Sequence, residues 1–393
     1  MEIIASKRVQ SIGGYAFAEV DKEVEKLKRQ GIVPLDFGVG DPKEQTPGLI
    51  RNETKRAIDK RRTAGYPSYI GEPEFRSAIS DWCRKRFSIK LNPESEVTSS
   101  IGSKEGIFHF AEGFINPGDY ALVPSPGYPP WSRGTLFAEG LSYYLPLLKE
   151  NSFLPQLENI PKEILKKAKV LWINYPNNPT SAMCDKSFLK KVVDFGQDNR
   201  IIVASDEAYS EFYYDEKDRP HSILEFGHEG CVAFNSLSKR SYMTTYRVGW
   251  AAGDERIISV FRKVKTNIDS GTSTFLQDAA IAAYSDEKHV AEMRNDYRIK
   301  RDHLCKALVE AGLEDCTPKG TMYIWQRVPQ GMTSVDFAKK LLDPKIACVV
   351  TPGSWISQED GGLNPGEGYV RFAMVPTIAE CKVAADRIRK MEF

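Results

Sequence analysis

Four short apolar runs in the middle of the chain each end in a loop rich in proline, asparagine, serine or aspartate. The runs are DYALVPSPGYPPW (119–131), KVLWINYPNNPT (169–180), RIIVASDEAYSEF (200–212) and CVAFNSLSK (231–239). Helical or linker sequence separates them, and apolar strands that alternate with helices are typical of a mostly parallel, buried sheet. The pattern predicts a three-layer α/β fold. Because ligands of such sheets bind at the carboxyl ends of strands, we expect the functional site among these loops.

Composition allows one large core or two moderate ones, because the 393-residue chain is 41% hydrophobic. From about residue 285 the sequence changes to a long charged helical stretch, KHVAEMRNDYRIKRDHLCKALVEAG, followed by the strand patterns MYIWQRV, ACVVTPG and GYVRFAM. This change predicts a second, smaller α+β domain. We expect a large domain over residues 46–284 and a small domain formed by residues 1–45 together with residues 285–393.

Charge and cysteine content narrow the kind of partner. The 54 basic and 53 acidic residues nearly cancel, so no global attraction favours nucleic acid or an anionic membrane. The seven cysteines form no C-x-x-C pair, which argues against a zinc site and a disulfide framework. The sequence contains no apolar run typical of a signal peptide or a membrane span. We therefore expect a cytoplasmic protein that acts on small molecules.

The stretch CVAFNSLSKRSYMTTYRVGW, residues 231–250, combines a buried-strand pattern with a lysine among small hydroxyl residues. A desolvated lysine amine near another cation loses proton affinity and can form a Schiff base with an aldehyde, which is the chemistry predicted for Lys239. Ser236, Ser238 and Arg247 offer hydroxyl and guanidinium donors suited to a phosphate dianion. An aldehyde that carries a phosphate describes pyridoxal phosphate. A surface lysine in a serine-rich loop is the alternative interpretation.

Other strand-end residues supply the remaining groups that pyridoxal phosphate needs. The cofactor withdraws electrons best when its ring nitrogen is protonated, and Asp206 is the candidate carboxylate that would keep it so. Tyr209 or Asn178 could hydrogen-bond the ring oxygen, and Tyr128 could stack on the ring. Arg371, within the apolar strand pattern GYVRFAM, could hold a substrate carboxylate bidentately. The alternatives are a helix cap for Asp206, ordinary packing for Tyr128 and a structural ion pair for Arg371.

Three further positions lie in loops or at a predicted helix start. The pattern GSKEGIFHFAEGF places Ser103 at a helix N-terminus, which is a natural anion site, although an unliganded cap has the same pattern. Gly40 in LDFGVGDP would allow a ligand to approach the backbone closely, or would simply form a tight turn. Tyr66 lies in the aromatic loop TAGYPSYIG, where packing on the domain surface is the alternative to a ligand contact.

The order and spacing of these residues resemble the class I/II aminotransferase family, whose members are fold-type I pyridoxal-phosphate enzymes. The resemblance spans FGVGDP to GYVRFAM, and its most specific parts are SLSKRSYMTTYRVGW, YPNNPT and SDEAYSEF. It implies that Lys239 bonds the cofactor and moves a proton between substrate Cα and cofactor C4′, with Asp206 at the pyridine nitrogen and Tyr209 and Asn178 at the ring oxygen. It also implies a homodimer with shared active sites.

The resemblance assigns the remaining contacts as well. The phosphate would be held by Ser103, Lys104 (through its backbone), Ser236, Ser238, Arg247 and, from the neighbouring subunit, Tyr66. The ring would stack on Tyr128. Arg371 and the Gly40 backbone would hold the substrate α-carboxylate, and Tyr15, Lys104, Tyr128 and Asn178 would complete the substrate site.

Within this family the motifs GYAFAEV, FGVGDP, GYPSYIGEPEFR, GSKEG and SGTSTFLQ are most similar to LL-diaminopimelate aminotransferases. That subfamily converts tetrahydrodipicolinate and glutamate to LL-diaminopimelate and 2-oxoglutarate in lysine biosynthesis. Tyr15 and Lys104 match positions that it uses around the substrate, whereas Ser270 stands where it usually has asparagine. The alternatives are an aspartate, alanine or aromatic aminotransferase, a pyridoxal-phosphate β-lyase, and a cofactor-binding protein without enzymatic activity.

Overall fold

The structure, a computed structural model, describes residues 1, 3–12, 18–63 and 65–391. Its helices are α1 Lys7–Gln10, α2 Ala18–Arg29, α3 Gly48–Lys60, α4 Pro73–Phe87, α5 Ser103–Phe114, α6 Pro130–Phe137, α7 Lys162–Leu165, α8 Lys186–Asn199, α9 Leu237–Arg240, α10 Glu255–Lys265, α11 Thr274–Ser285, α12 Lys288–Glu310, α13 Ser334–Leu341 and α14 Ile378–Ile388. Its strands are β1 Leu35–Asp36, β2 Val97–Ser100, β3 Tyr120–Ser125, β4 Leu141–Pro146, β5 Ala168–Ile173, β6 Ile202–Asp206, β7 Cys231–Ser236, β8 Gly249–Gly253, β9 Tyr323–Arg327, β10 Cys348–Val349, β11 Thr351–Pro352 and β12 Tyr369–Ala373.

A seven-stranded sheet forms the centre of the fold, in the order β2-β8-β7-β6-β5-β3-β4. Five adjacent strands of this sheet are parallel to one another: β4, β3, β5, β6 and β7. Strand β8 alone inverts the direction, because it pairs antiparallel with both β7 and β2. The predicted mostly parallel α/β sheet is therefore confirmed.

The sheet is covered on both faces, as its continuous apolar strands predict. Consecutive residues of a strand point to opposite faces. In β5, Leu171 belongs to one hydrophobic core and Trp172 to another, and in β7 Ala233 and Phe234 are divided in the same way. The sheet is thus the middle of three layers, with helices packed on either side.

A smaller antiparallel sheet, β11-β12-β9, lies in the C-terminal part of the chain, and β1 pairs parallel with β10. These strands share a separate core with α12 and α14, which contains Leu304, Ile324, Phe372 and Ala384. The arrangement agrees with an α+β unit after the large sheet, while the division at residues 46–284 stays a prediction. None of the helices in the described residues is long and apolar enough to cross a membrane.

Candidate active site

A cleft of about 680 Å³ opens at the carboxyl ends of the parallel strands. Asp206 is the last residue of β6, and Lys239 lies in α9, which directly follows β7. Twelve of the residues predicted from the sequence line this cleft: Gly40, Ser103, Lys104, Tyr128, Asn178, Asp206, Tyr209, Ser236, Ser238, Lys239, Arg247 and Arg371. The fold therefore brings together residues that lie as far apart as positions 40 and 371 of the chain.

Lys239 presents an amine with weakened proton affinity to the cleft. Its Nζ donates a hydrogen bond to the Gly40 carbonyl oxygen at 2.5 Å. Burial lowers the pKa of the amine to about 8, and the positive charges of Arg371 and Arg247 act in the same direction while Asp41 opposes them. A substantial fraction of the amine is therefore neutral near pH 8 and able to act as a nucleophile or base.

Asp206 is a buried carboxyl group that forms no salt bridge within the described residues. Its Oδ1 accepts a long hydrogen bond, 3.3 Å, from the Ala208 backbone N–H. Burial raises the pKa of Asp206 to about 7. A carboxylate in this position gains most from a cationic partner delivered by a ligand. The helix-cap alternative does not hold, because Asp206 is the end of a strand and precedes a turn rather than a helix.

Three residues expected around a cofactor ring lie in the same cleft. The Tyr209 hydroxyl is 2.7 Å from the Tyr323 hydroxyl, and burial raises the pKa of Tyr209 well above its ordinary value, so the phenol keeps its proton. The backbone N–H of Asn178 donates to Asn174 Oδ1 at 2.8 Å, which fixes the loop after β5. Burial also raises the pKa of Tyr128, the candidate stacking ring.

Hydroxyl and guanidinium donors surround the start of α5. The helix begins at Ser103 and has no side-chain cap, so its first N–H groups remain free to bind an anion. The preceding Gly102 has φ +74°, and a Cβ there would lie 2.3 Å from Arg247 Nη2. The Ser236 and Ser238 hydroxyls are 2.9 Å apart. This group of donors has the composition of a phosphate site.

Arg371 projects from β12 towards the cleft. Its Nη1 donates to Asn178 Oδ1 at 2.9 Å and its Nη2 to the Gly38 carbonyl oxygen at 2.8 Å. Its guanidinium lies 4.6 Å from the centre of the Tyr323 ring, and its buried Nε has no hydrogen-bond partner. No salt bridge to Arg371 occurs in the described part of the chain, so the structural ion-pair alternative is wrong.

The two remaining predicted residues are Tyr66 and Tyr15. Tyr66 is 84% exposed and does not line it, which leaves its proposed contact to a neighbouring subunit as a prediction. Tyr15 lies outside the described residues.

Sequence reasoning missed several residues of the cleft. Asn174 ties two strand ends together, because its side chain donates to the Asp206 carbonyl oxygen at 2.7 Å and accepts from Asn178. Tyr323, in β9, supports both Tyr209 and Arg371. Asn174 lies at a strand end and could have been found by the same pattern as Asp206. No signal in the sequence indicates Tyr323, which belongs to a distant strand.

The residues present fit pyridoxal phosphate. A buried amine, an unpaired buried carboxyl group and a cluster of phosphate donors correspond to the aldehyde, the ring nitrogen and the phosphate of that cofactor. Burial of a carboxyl group without a cationic partner lowers the stability of the fold, which agrees with a position kept for a ligand.

Comparison with known proteins gives consistent results. Residues 33–388 match the family model described as aminotransferase class I and II. LL-diaminopimelate aminotransferase of Aquifex aeolicus (strain VF5) is 42% identical over 391 residues, which cover 99% of each chain. The enzyme of the same name from Syntrophobacter fumaroxidans is 40% identical over 396 residues and 100% of each chain. LL-diaminopimelate aminotransferase 2 of Trichormus variabilis is 43% identical over 379 residues and 95% of each chain.

Solved structures show the same architecture over the whole chain. Substrate-bound BacF from Bacillus subtilis superposes with a TM-score of 0.90 and 32% identity, covering 99% of this chain and 98% of that one. A single mutant of Thermus thermophilus aspartate aminotransferase superposes with a TM-score of 0.89 and 26% identity, covering 99% of this chain and 100% of that one.

Proposed function

The chain belongs to the class I and II aminotransferases, which depend on pyridoxal phosphate, and we propose that its reaction is that of LL-diaminopimelate aminotransferase. It would move an amino group from glutamate to tetrahydrodipicolinate, which yields LL-diaminopimelate and 2-oxoglutarate. The observation that carries this proposal is the 38–43% identity to curated enzymes of that name over nearly the full length of the chain. An assignment to lysine biosynthesis follows from the same proposal.

Bound pyridoxal phosphate supplies an electron sink that stabilises negative charge at the substrate Cα. We assign Lys239 as the residue that bonds its aldehyde and Asp206 as the partner of its ring nitrogen. Tyr209 and Asn178 would donate to the ring oxygen, and Tyr128 would cover one face of the ring. The phosphate would be bound by the donors at the start of α5 and α9: Ser103, the Lys104 backbone, Ser236, Ser238 and Arg247.

Lys239 is the candidate that removes and returns the proton at the substrate Cα. A general base works best when its pKa is near the working pH, and burial with two nearby guanidinium groups lowers the pKa of this amine to about 8. Tyr209 would act differently, because its raised pKa keeps the phenol protonated as a hydrogen-bond donor. Lys239, Asp206 and Tyr209 are therefore the proposed catalytic residues.

The substrate α-carboxylate would bind at Arg371, since this guanidinium lines the cleft and forms no salt bridge within the described residues, while the other cleft guanidinium, Arg247, lies against Gly102 in the proposed phosphate site. Gly40 would contribute through its backbone. Lys104 is an exposed cation at the mouth of the cleft and is the candidate for a distal substrate group, together with Tyr15.

We also propose a homodimer in the cytoplasm. The exposed ring of Tyr66 supports the dimer, because an 84% exposed tyrosine gains burial if it reaches the phosphate site of a second copy. The free state of all seven cysteines agrees with a reducing compartment. Sedimentation analysis would test the dimer, and a Tyr66→Phe variant with weakened cofactor affinity would support the shared site.

Half-reactions with separate amino donors test the function. Protein loaded with pyridoxal phosphate is mixed with LL-diaminopimelate, glutamate, aspartate, alanine or phenylalanine, and the visible absorbance of the bound cofactor is followed. We expect a fast change with LL-diaminopimelate and glutamate and little change with the other donors. A Lys239→Ala variant serves as the control that should lose turnover with every donor.

The other outcomes have distinct meanings. A preference for aspartate, alanine or phenylalanine would leave the fold and the cofactor site intact but would refute the diaminopimelate assignment. Release of ammonia with a β-substituted donor would favour a lyase, and product analysis distinguishes it from amino transfer. Absence of an absorbance band from protein-bound cofactor, even after incubation with excess cofactor, would refute the role of Lys239.

A further inference from the structure

A lysine buried behind the active-site cleft joins two segments that carry substrate-site residues. Lys300 lies in α12, its side chain is 1% exposed, and it does not line the cleft. Its Nζ donates to the Glu44 carboxylate and to the Met374 carbonyl oxygen, the latter at 3.3 Å. A buried ammonium group is costly unless several acceptors satisfy it, so its position suggests a function beyond packing.

The first of the two segments is the run from residue 38 to residue 46. The Gly38 carbonyl oxygen accepts a hydrogen bond from Arg371, and the Gly40 carbonyl oxygen accepts one from Lys239. Glu44 lies in the same run, and the Thr46 hydroxyl donates to the Tyr242 carbonyl oxygen at 2.5 Å. Lys300 is therefore bonded to the segment that contacts both the proposed carboxylate-binding residue and the proposed base.

The second segment is the end of β12. Met374 follows Arg371 by three residues, and the Ala373 N–H donates to the Phe37 carbonyl oxygen at 2.7 Å. The carbonyl oxygen of Met374 is the acceptor that Lys300 holds. One ammonium group thus connects the strand that carries Arg371 to the segment whose carbonyl oxygen holds the Arg371 guanidinium.

The surroundings make this connection hard to replace. Lys300 is the only cation within salt-bridge distance of Glu44 in the described chain, and Glu44 Oε2 is buried without a hydrogen-bond partner. The neighbouring Tyr242 and Tyr297 hydroxyls are also buried and unpartnered, and the Lys300 ammonium lies 4.7 Å from the Tyr297 ring centre. Among the described residues, Glu44 therefore has no second cation to hold it if Lys300 is removed.

A buried ion pair contributes little to net stability compared with apolar residues of the same volume, but it restricts the geometry of the groups that it joins. We propose that Lys300 and Glu44 form a positioning pair that sets the distance between the 38–46 segment and Arg371 and thereby the affinity for the substrate α-carboxylate. This inference rests on the proposed role of Arg371 and deepens it. Neither Lys300 nor Glu44 lines the cleft, so the pair would act on the substrate only through the position of Arg371.

The test uses the single variants Lys300→Met and Glu44→Gln and the double variant. Each single change leaves one buried charged or polar group without its partner and destabilises the fold, whereas the double change removes both charges and restores much of the stability. In all three, we expect KM for glutamate and Kd for 2-oxoglutarate to rise about 10-fold or more, because a displaced clamp misorients the carboxylate. The affinity for pyridoxal phosphate and the absorbance of the bound cofactor should not change.

Lys265→Met is the matched control. Lys265 is equally buried, with 0% side-chain exposure, and pairs with Glu105 and Asp269, but it contacts neither the 38–46 segment nor β12. We expect this variant to lose stability while its Kd for 2-oxoglutarate, measured by calorimetry at saturating cofactor, stays at the wild-type value.

Two results would overturn the inference. The positioning role is wrong if the double variant regains stability and binds 2-oxoglutarate like the wild type, because the pair would then act only on folding. An Arg371→Lys variant is measured alongside, and unchanged 2-oxoglutarate affinity in that variant would refute the role of Arg371 itself. A weakened Arg371→Lys variant together with a normal double variant would refute only the Lys300–Glu44 pair.

Discussion

Asp206→Asn should stabilise the cofactor-free protein at alkaline pH. The Asp206 carboxyl group has a pKa of about 7 in the folded chain against an ordinary value of 3.8, because burial disfavours its anion. Between these two values the folded protein holds a proton that the unfolded chain has released. The folded state therefore loses stability as pH rises through this window, and the loss is complete above about pH 7. The gap between the two pKa values corresponds to a loss of about 4 kcal/mol in the free energy of unfolding at pH 8, as an order of magnitude.

The assay is urea unfolding of the cofactor-free protein at pH 5 and pH 8, at one fixed protein concentration. Asp206→Asn should be more stable than the wild type by about 2 kcal/mol at pH 5, where part of this window has been crossed, and by about 4 kcal/mol at pH 8. Pyridoxal phosphate should remove most of this pH dependence in the wild type, because the protonated ring nitrogen gives the Asp206 anion its partner. The same addition should stabilise Asp206→Asn less.

Glu207 provides a control at the adjacent position. Burial raises its pKa to about 7 as well, but its Oε1 accepts from the Ile223 N–H at 2.9 Å and it does not line the cleft. Glu207→Gln should therefore also remove a loss of stability at alkaline pH. In the wild type, the cofactor should not reduce the part of this loss that is due to Glu207. The assignment of Asp206 to the ring nitrogen would be refuted if the cofactor suppressed the pH dependence due to Glu207 and left that due to Asp206 intact.

Three further substitutions give separate predictions. Gly102→Ala would place a Cβ 2.3 Å from Arg247 Nη2 at a φ of +74°, so we expect lower cofactor affinity by equilibrium titration, with normal binding contradicting the phosphate assignment. Gly40→Ala would place a Cβ 2.3 Å from the buried Tyr323 hydroxyl, and we expect KM for glutamate to rise about 10-fold or more, because the contact displaces the ring that packs against Arg371. Tyr15→Phe should weaken substrate binding without altering the absorbance of the bound cofactor, and an altered absorbance would argue against a substrate role.

The fold class and most of the cleft could be predicted because they depend on local sequence. Alternating apolar runs and helices predict the sheet, and polar residues at strand ends mark its functional edge, so Asp206, Lys239 and Asn178 were found directly. Residue type indicated their chemistry. Amines, carboxylates and hydroxyl groups limit the cofactors that a cleft can hold, whatever the details of packing.

The sequence could not predict whether Arg371 forms a structural ion pair or binds a ligand, because an arginine in an apolar strand suits both. The choice became clear only from the structure, in which its guanidinium binds Asn178 and a backbone carbonyl oxygen and forms no salt bridge within the described ranges. The pKa values of Lys239 and Asp206 likewise depend on burial by residues from distant elements, which the sequence does not specify locally.

The sequence by itself determined the order of strands and helices, the family resemblance and the chemical groups at the strand ends, because local periodicity and residue type encode these. Only the tertiary structure decided which distant groups meet. Arg371 and the Gly38 carbonyl oxygen are 333 positions apart, and Lys300 and Glu44 are 256 positions apart. Such contacts arise from the way in which two sheets and a long helix pack against each other, and no periodicity along the chain records that packing.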